Sequence, residues 1–303
     1  MVVRKLRVTV PASKLARAND IDTVTDPIML AHRLINTESV TSARYFDHKL
    51  RMSAMHNVCV RSQLLGYRNN IVGRENLPVS MRVTFDIGNA IHHFLQNGED
   101  YLGKNRLGWW RCNACRHKMF GRKPLDKCPG CGCSHKATEY VEHVLNLPKD
   151  IPVSGHVDCF MEVAPGDIRV VDFKTINGEE FEALTNPKPE HCIQVIGYMH
   201  YLQMDESLPV RVNPERGMVL YVSKKHSGKG LPFKMFHVGK DKLFLNLIEN
   251  KVVDFKKGLE CPDYLPPPLQ SCLLSGFKSA SCRACTSYQF CIDATEKDGQ
   301  KPR

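Results

Sequence analysis

The stretch Gly155–Thr175, GHVDCFMEVAPGDIRVVDFKT, constrains the fold of this chain more tightly than any other. GHVDCFMEV and IRVVDFKT are apolar strands joined by the turn-forming sequence APGD, which predicts an antiparallel hairpin. Side chains alternate at period two, so Val171 and Phe173 point one way and Asp172 and Lys174 the other. Pairing of the strands can place Asp158, Asp172 and Lys174 on one face. Two carboxylates that close repel unless a cation lies between them, and oxygen ligands select a hard divalent ion such as Mg2+ or Mn2+. A lysine beside such a site can hold or help deprotonate an attacking water and stabilise charge on a phosphate. A half-buried surface strand gives the same alternation, so the hairpin alone does not separate the two readings.

A chain of 303 residues can bury the core of one domain with additions or of two small domains. With 42% hydrophobic and 24% charged residues it reads as globular rather than disordered. The net charge of +10 and pI near 9.0 suit a polyanionic partner, although a solvated basic surface gives the same total. There is no long uncharged apolar run and no apolar signal core at the N-terminus, so the expectation is a cytoplasmic protein with no membrane partner. The absence of G-x-x-x-x-G-K-[ST] excludes a Walker-type motor in this chain. Thirteen cysteines, several in C-x-x-C pairs, point to metal binding more than to disulfides in a reducing compartment.

Two of those pairs lie in WWRCNACRHKMFGRKPLDKCPGCGC, where Cys112 and Cys115 form one knuckle and Cys128 and Cys131 the other. Four thiolates in paired knuckles predict a structural zinc ribbon, with an iron site as the second reading and Cys133 spare. Arg111, Arg116, Lys118, Arg122, Lys123 and Lys127 stud the module behind Trp109 and Trp110. Such a charge run is usually a solvated face. Basic residues beside exposed aromatics can also track a phosphate backbone or stack a base. A third group, Cys282, Cys285 and Cys291, needs a fourth ligand, and its spacing does not distinguish zinc from an iron–sulfur cluster.

Between these landmarks the pattern predicts loosely helical structure over Ser42–Tyr67, with Cys59 near its middle, and a helix over Phe85–Gln96 starting near Asp86 and carrying Gly88 and His92. Thr138–Leu147 reads as the first central strand, with Glu139 and Glu142 as acidic residues outside any motif. Strands follow over 153–163 and 168–174. Then come a TNPKP break, a helix with Gln194 and Tyr198 on one face, strands in GMVLYVSKK and LPFKMFHV, and an amphipathic helix over Asp241–Gly258. The opening residues, including a possible strand in KLRVTVP, carry no chemistry.

Four short motifs occur in order: Gly88 to His92 in GNAIH, Gly155 to Asp158 in GHVD, Asp172 to Lys174 in DFK, and Gln194 to Tyr198 in QVIGY. Together they resemble the PD-(D/E)XK nuclease superfamily, in particular its RecB-like branch with the CRISPR-associated and AddB-type iron–sulfur nucleases. The resemblance covers roughly residues 50–291. It implies a restriction-endonuclease-like α/β fold, a mixed β-sheet core flanked by helices, and metal-dependent hydrolysis of DNA. It further implies that His92, Asp158, Asp172 and the Phe173 carbonyl hold Mg2+ or Mn2+, that Lys174 acts on the water, and that Gln194 and Tyr198 lie against the DNA strand near the scissile phosphate. Imidazole in the ligand set favours Mn2+.

Ser53, Cys59 and Arg61 sit as in the family's opening S-x-L-x-x-x-x-x-C-P-R segment, with Met55 for leucine and Val60 for proline. By this resemblance Cys59 joins Cys282, Cys285 and Cys291 around a [4Fe–4S] cluster that clamps the two ends of the chain. Cys272 is the rival fourth ligand. The expected organisation is an arm over 1–41, a helical part of the nuclease domain over 42–108, a zinc-ribbon insertion over 109–136, the nuclease core over 137–260 and an iron–sulfur tail over 261–303. Relatives with such a tail imply an exonuclease on single-stranded or ended DNA in recombination, repair or processing, with a helicase or recombination protein as partner. A structure-specific endonuclease and a non-catalytic DNA-binding assembly subunit are the alternatives.

Overall fold

The structure, a computed structural model, describes residues 40–77, 79–98, 102–124, 127–134, 138–225 and 231–297. The expected strand in KLRVTVP lies outside them. Chain contacts divide the molecule into residues 1–42 with 74–84 and residues 43–73 with 85–303. The main sheet and the site belong to the second unit. A separate two-stranded sheet pairs Val40–Tyr45 with Val72–Leu77.

Seven strands form the main sheet: β1 (Arg106–Cys112), β2 (Lys118–Gly121), β3 (Thr138–Val141), β4 (Cys159–Ala164), β5 (Asp167–Ile176), β6 (Arg216–Ser223) and β7 (Phe233–Gly239). Their order is β7-β6-β5-β4-β1-β2, with β3 also paired to β1. β5 and β6 run parallel and the other pairs are antiparallel, so the sheet is mixed. The principal helices are α1 (Val60–Arg68), α2 (Val79–Asn97), α3 (Gly178–Ala183), α4 (Pro189–Tyr201), α5 (Lys242–Glu260) and α6 (Tyr288–Lys297). A mixed sheet flanked by helices is the α/β architecture expected from the sequence.

Alternation along β5 explains the layering. Val171 and Phe173 join Leu95, Cys159, Met218, Leu220 and Val222 in a core on one face, with Ile91 of α2 packed against it. Val170 and Ile176, on the other face, pack in a larger core with Ile193, Val195, Ile196 and Tyr198 of α4 and Ile248, Val252 and Phe255 of α5. The helix starts follow capping chemistry. Asn177 accepts from the Glu180 amide ahead of α3, Pro189 takes the first position of α4, and Asp241 accepts from the Leu243 and Phe244 amides.

Three local expectations need correction. α2 extends back to Val79, so Asp86 lies within the helix and not at its start. Ser42–Tyr67 is helical only from Val60 onward; a strand end, the short strand Leu50–Arg51 and a 3-10 turn occupy its first half. The expected strand over Thr138–Leu147 is broken into β3 and His143–Val144, which pairs with His156–Val157. Leu50–Arg51 pairs in parallel with Val153–Ser154, so apolar residues of the segment are spent on a sheet edge and not on one helix face.

Candidate active site

The β4–β5 hairpin forms as expected, with Cys159 opposite Val171. Asp158, just before β4, accepts the Phe173 amide on Oδ2 at 2.7 Å. Asp172 is 1% exposed, and its Oδ1 has no hydrogen-bond partner. Lys174 Nζ lies 2.7 Å from Asp172 Oδ2 in a close ion pair. Burial pushes the Asp172 carboxyl above its ordinary value against the pull of Lys174. Asp158 is pushed well up, by burial first and then by the charge of Asp172. Lys174 brings one positive charge to the two carboxylates, and a divalent cation is compatible with the pair.

Lys174 is held from behind by α4. Its Nζ donates to Gln194 Oε1 at 3.1 Å, Gln194 Nε2 donates to Tyr198 Oη at 3.4 Å, and Tyr198 donates to the His156 carbonyl at 2.6 Å. Gln194 and Tyr198 are buried, so their polar atoms position Lys174 and the His156 backbone from inside the protein. Gly155 is required here, because a Cβ on it would stand 2.8 Å from the Tyr198 ring. Gly88 lets α2 approach β5, since its Cβ would meet Thr175 Oγ1 at 3.0 Å.

His92 comes from α2, its ring edge-on to Phe173 at 5.7 Å and its Nδ1 3.8 Å from Asp158 Oδ1. Burial lowers its pKa, and Lys174 adds to the shift against the pull of Glu142 and the Phe173 carbonyl. A neutral imidazole results, the form that ligates metals. His92, Glu142 and Asp158 offer ligand atoms all within 4.8 Å of one another. Glu142 is the residue that sequence reasoning left out. It lies between β3 and His143–Val144, at a break no periodicity announces, and the only signal was its position on an acidic strand beside the motifs. Asp172 stands outside that set and faces Lys174. His92, Asp158, Asp172, Lys174, Gln194 and Tyr198 line a cleft of about 610 Å³, with Arg51, Ser53 and Ser154 on its walls.

The four ribbon cysteines come together. Cys112 and Cys131 sulfurs are 3.7 Å apart, as are those of Cys115 and Cys128, and the set lies within 4.8 Å. A tetrahedral zinc site with Zn–S of about 2.3 Å has sulfur separations of about 3.8 Å. The knuckles match in backbone too: the Arg116 amide bonds Cys112 O and the Gly132 amide bonds Cys128 O, and both residues are left-handed, with φ of 63° and 72°. The Cys115 amide leads in lowering the Cys112 pKa to about 6, while neighbouring thiols push Cys115 and Cys131 up, so the metal site rests on the geometry of the four sulfurs. The ribbon is rooted in the main sheet through β1, and its tryptophans are not exposed stacking platforms. Trp110 is 0% exposed against Tyr140, and half-buried Trp109 donates to His143 Nδ1 at 3.0 Å. Arg111 and Arg122 pair with Glu139 and Glu162, and Lys123 donates to the Asn97 carbonyl.

At the other end, Cys59 caps α1, its pKa raised by burial first and then, among other influences, by nearby Cys285 and Cys291. Cys282 is bonded to Cys272, so of the expected cluster ligands Cys59, Cys285 and Cys291 are free. The two ends are tied independently of any cluster. Buried Arg61 donates to Pro266 O and Thr295 Oγ1, Ser287 donates to Ser62 O, and Arg68 donates to the carbonyls of Gly258, Cys261 and Tyr264.

No helix among the described residues is long and apolar enough to cross a membrane. No protein-family model and no curated protein matches the chain. Solved structures similar to it include an alkaline exonuclease, LHK-Exo, from Laribacter hongkongensis, at 10% identity over 70% of this chain and 88% of that chain with a TM-score of 0.38. LHK-Exo in complex with dAMP gives 11% identity over the same shares and a TM-score of 0.40. SSO0001 gives 10% identity over 88% of this chain and 97% of that chain, with a TM-score of 0.36. Superpositions this loose carry no weight in the functional argument, which stands on the cleft.

Proposed function

We propose that this protein is a metal-dependent deoxyribonuclease, an exonuclease acting on single-stranded or ended DNA in recombination, repair or processing. The observation that carries the reading is Asp172: buried, its Oδ1 without a hydrogen-bond partner and its Oδ2 paired with a lysine that α4 holds in the same cleft as Asp158 and His92. His92, Asp158, Asp172 and the Phe173 carbonyl would hold Mg2+ or Mn2+. A divalent ion there supplies polarisation of the phosphate and a lowered pKa for its bound water. Lys174, held by Gln194, orients the attacking water in line with the leaving oxygen and stabilises charge on the phosphate. Tyr198, whose hydroxyl burial keeps protonated, anchors the His156 backbone behind the lysine. Exonuclease action and the helicase or recombination partner come from the family resemblance.

A time course on end-labelled linear DNA beside covalently closed circles, with Mn2+ or Mg2+, tests this reading. Progressive shortening of linear strands with circles spared is the expected result. Discrete cutting of circles would make the enzyme an endonuclease, and no hydrolysis of single-stranded, double-stranded or branched DNA would turn the reading toward an assembly subunit.

The ribbon cysteines are proposed to hold one zinc, and Cys59, Cys282, Cys285 and Cys291 a [4Fe–4S] cluster, which requires Cys282 to be released from Cys272. Anaerobically prepared protein should contain iron and acid-labile sulfide. Cys59→Ser should abolish the visible absorption and Cys272→Ser should retain it. The reverse pattern would move the fourth ligand to Cys272, and zinc without iron would remove the cluster.

A further inference from the structure

Glu142 belongs to none of the motifs, yet its carboxylate lies within 4.8 Å of ligand atoms of His92 and Asp158, two residues that line the cleft. Asp158 Oδ2 is committed to the Phe173 amide, which leaves Oδ1 toward His92. Buried Gln96 donates to Glu142 Oε1 at 2.9 Å and to the Asp158 carbonyl at 3.2 Å, so one amide fixes both acidic segments from behind. Partners of that kind commonly orient metal ligands. No described lysine or arginine pairs with Glu142 or Asp158; Glu142 has only the exposed imidazole of His156, 3.5 Å from Oε2. A second, independent observation lies in the same cleft: the buried Asp172 Oδ1 has no hydrogen-bond partner, while Oδ2 is paired with Lys174.

We propose that Glu142 is a protein ligand of the divalent cation, held jointly with His92 and Asp158. The assignment rests on the cleft being the catalytic site described above. Added to His92, Asp158, Asp172 and the Phe173 carbonyl, Glu142 gives a mixed oxygen and nitrogen donor set, which suits Mn2+ and leaves room for a water or a phosphate oxygen. Asp172, opposite Lys174, then borders the ion on the side where the water is handled.

The test is Mn2+ affinity of the DNA-free, zinc-loaded protein, read from loss of the free-ion EPR signal. Glu142→Gln keeps an oxygen for Gln96 and removes the charge. Its Mn2+ affinity should fall by about 100-fold, at or above the upper end of what partners behind metal ligands contribute. Glu139→Gln, at the neighbouring acidic residue paired with Arg111, should bind Mn2+ like the wild type. Wild-type affinity in a folded Glu142→Gln protein, with affinity lost in Asp158→Asn, would overturn the assignment while leaving the hydrolysis reading intact. Mn2+ binding that depends on Glu142 in a protein that hydrolyses no DNA would uphold the ligand and sink the nuclease reading. A wild type that binds no Mn2+ overturns both.

Discussion

At Asp158 and Asp172 two carboxyl groups are buried close enough to repel, and the fold gains nothing from charging both without an ion. Both folded-state pKa values are raised. Stability from these groups is therefore full below the ordinary carboxylate value, about 4, and is lost as pH rises toward the raised values. Asp158→Asn should remove this penalty while its amide oxygen still accepts the Phe173 N–H. In chelator at neutral pH the variant should be more stable than the wild type by about 1–2 kcal/mol, a difference that shrinks as pH falls toward 4, and it should be inactive. Thermal melts across pH check it, and a variant less stable at neutral pH contradicts it. Asp172 and Lys174 were legible in the sequence because period two is local. Glu142 was not, because it reaches His92 and Asp158 from a break between two short strands.

At the scale of elements, the ribbon grows out of β1, and the protein's two tryptophans both sit on that strand just before Cys112. Removing the ribbon metal should loosen the first knuckle and shift tryptophan emission to the red. A thiol-reactive mercurial, which replaces zinc on the cysteine sulfurs, with a colorimetric indicator to bind the released ion, should free one zinc per chain together with that shift. Unchanged emission on metal release would mean that β1 holds without the ribbon. Spacing alone made the knuckles legible. The fate of the tryptophans was not, because whether a side chain on a two-sided strand meets Tyr140, His143 or solvent depends on β2 and β3 pairing with β1. The same pairing takes up Arg111, whose partner Glu139 lies opposite it on β3. A ribbon contact with phosphates would then fall to Arg116, Lys118 and Lys127.

Across the whole molecule, α1 and the tail are joined by side chains whose roles the sequence did not announce. Arg61 entered the sequence reading through its place in the S-x-L-x-x-x-x-x-C-P-R resemblance; in the structure it is 2% exposed and spends its guanidinium on the tail. Arg61→Ala leaves Pro266 O without this donor, and it should cost about 2–4 kcal/mol, since unpaired buried polar groups and large deletions are among the few sources of losses that size. Urea denaturation measures it, and a change within about 0.5 kcal/mol would show that the tail is held by other contacts. Long-range ties of this kind have no periodic signature, whereas the sheet, α4 and α5 do.

The central claim, that this cleft hydrolyses DNA, is tested most directly by comparing wild type, Asp172→Ala and Lys174→Ala on end-labelled single-stranded DNA with Mn2+, with DNA and Mn2+ binding measured in parallel. The wild type should shorten the strand. Lys174→Ala should keep Mn2+ binding and lose about 10²- to 10⁴-fold in rate, and Asp172→Ala should be inactive while both variants still bind DNA. Wild-type-like hydrolysis by Asp172→Ala would contradict the account and place the active centre elsewhere.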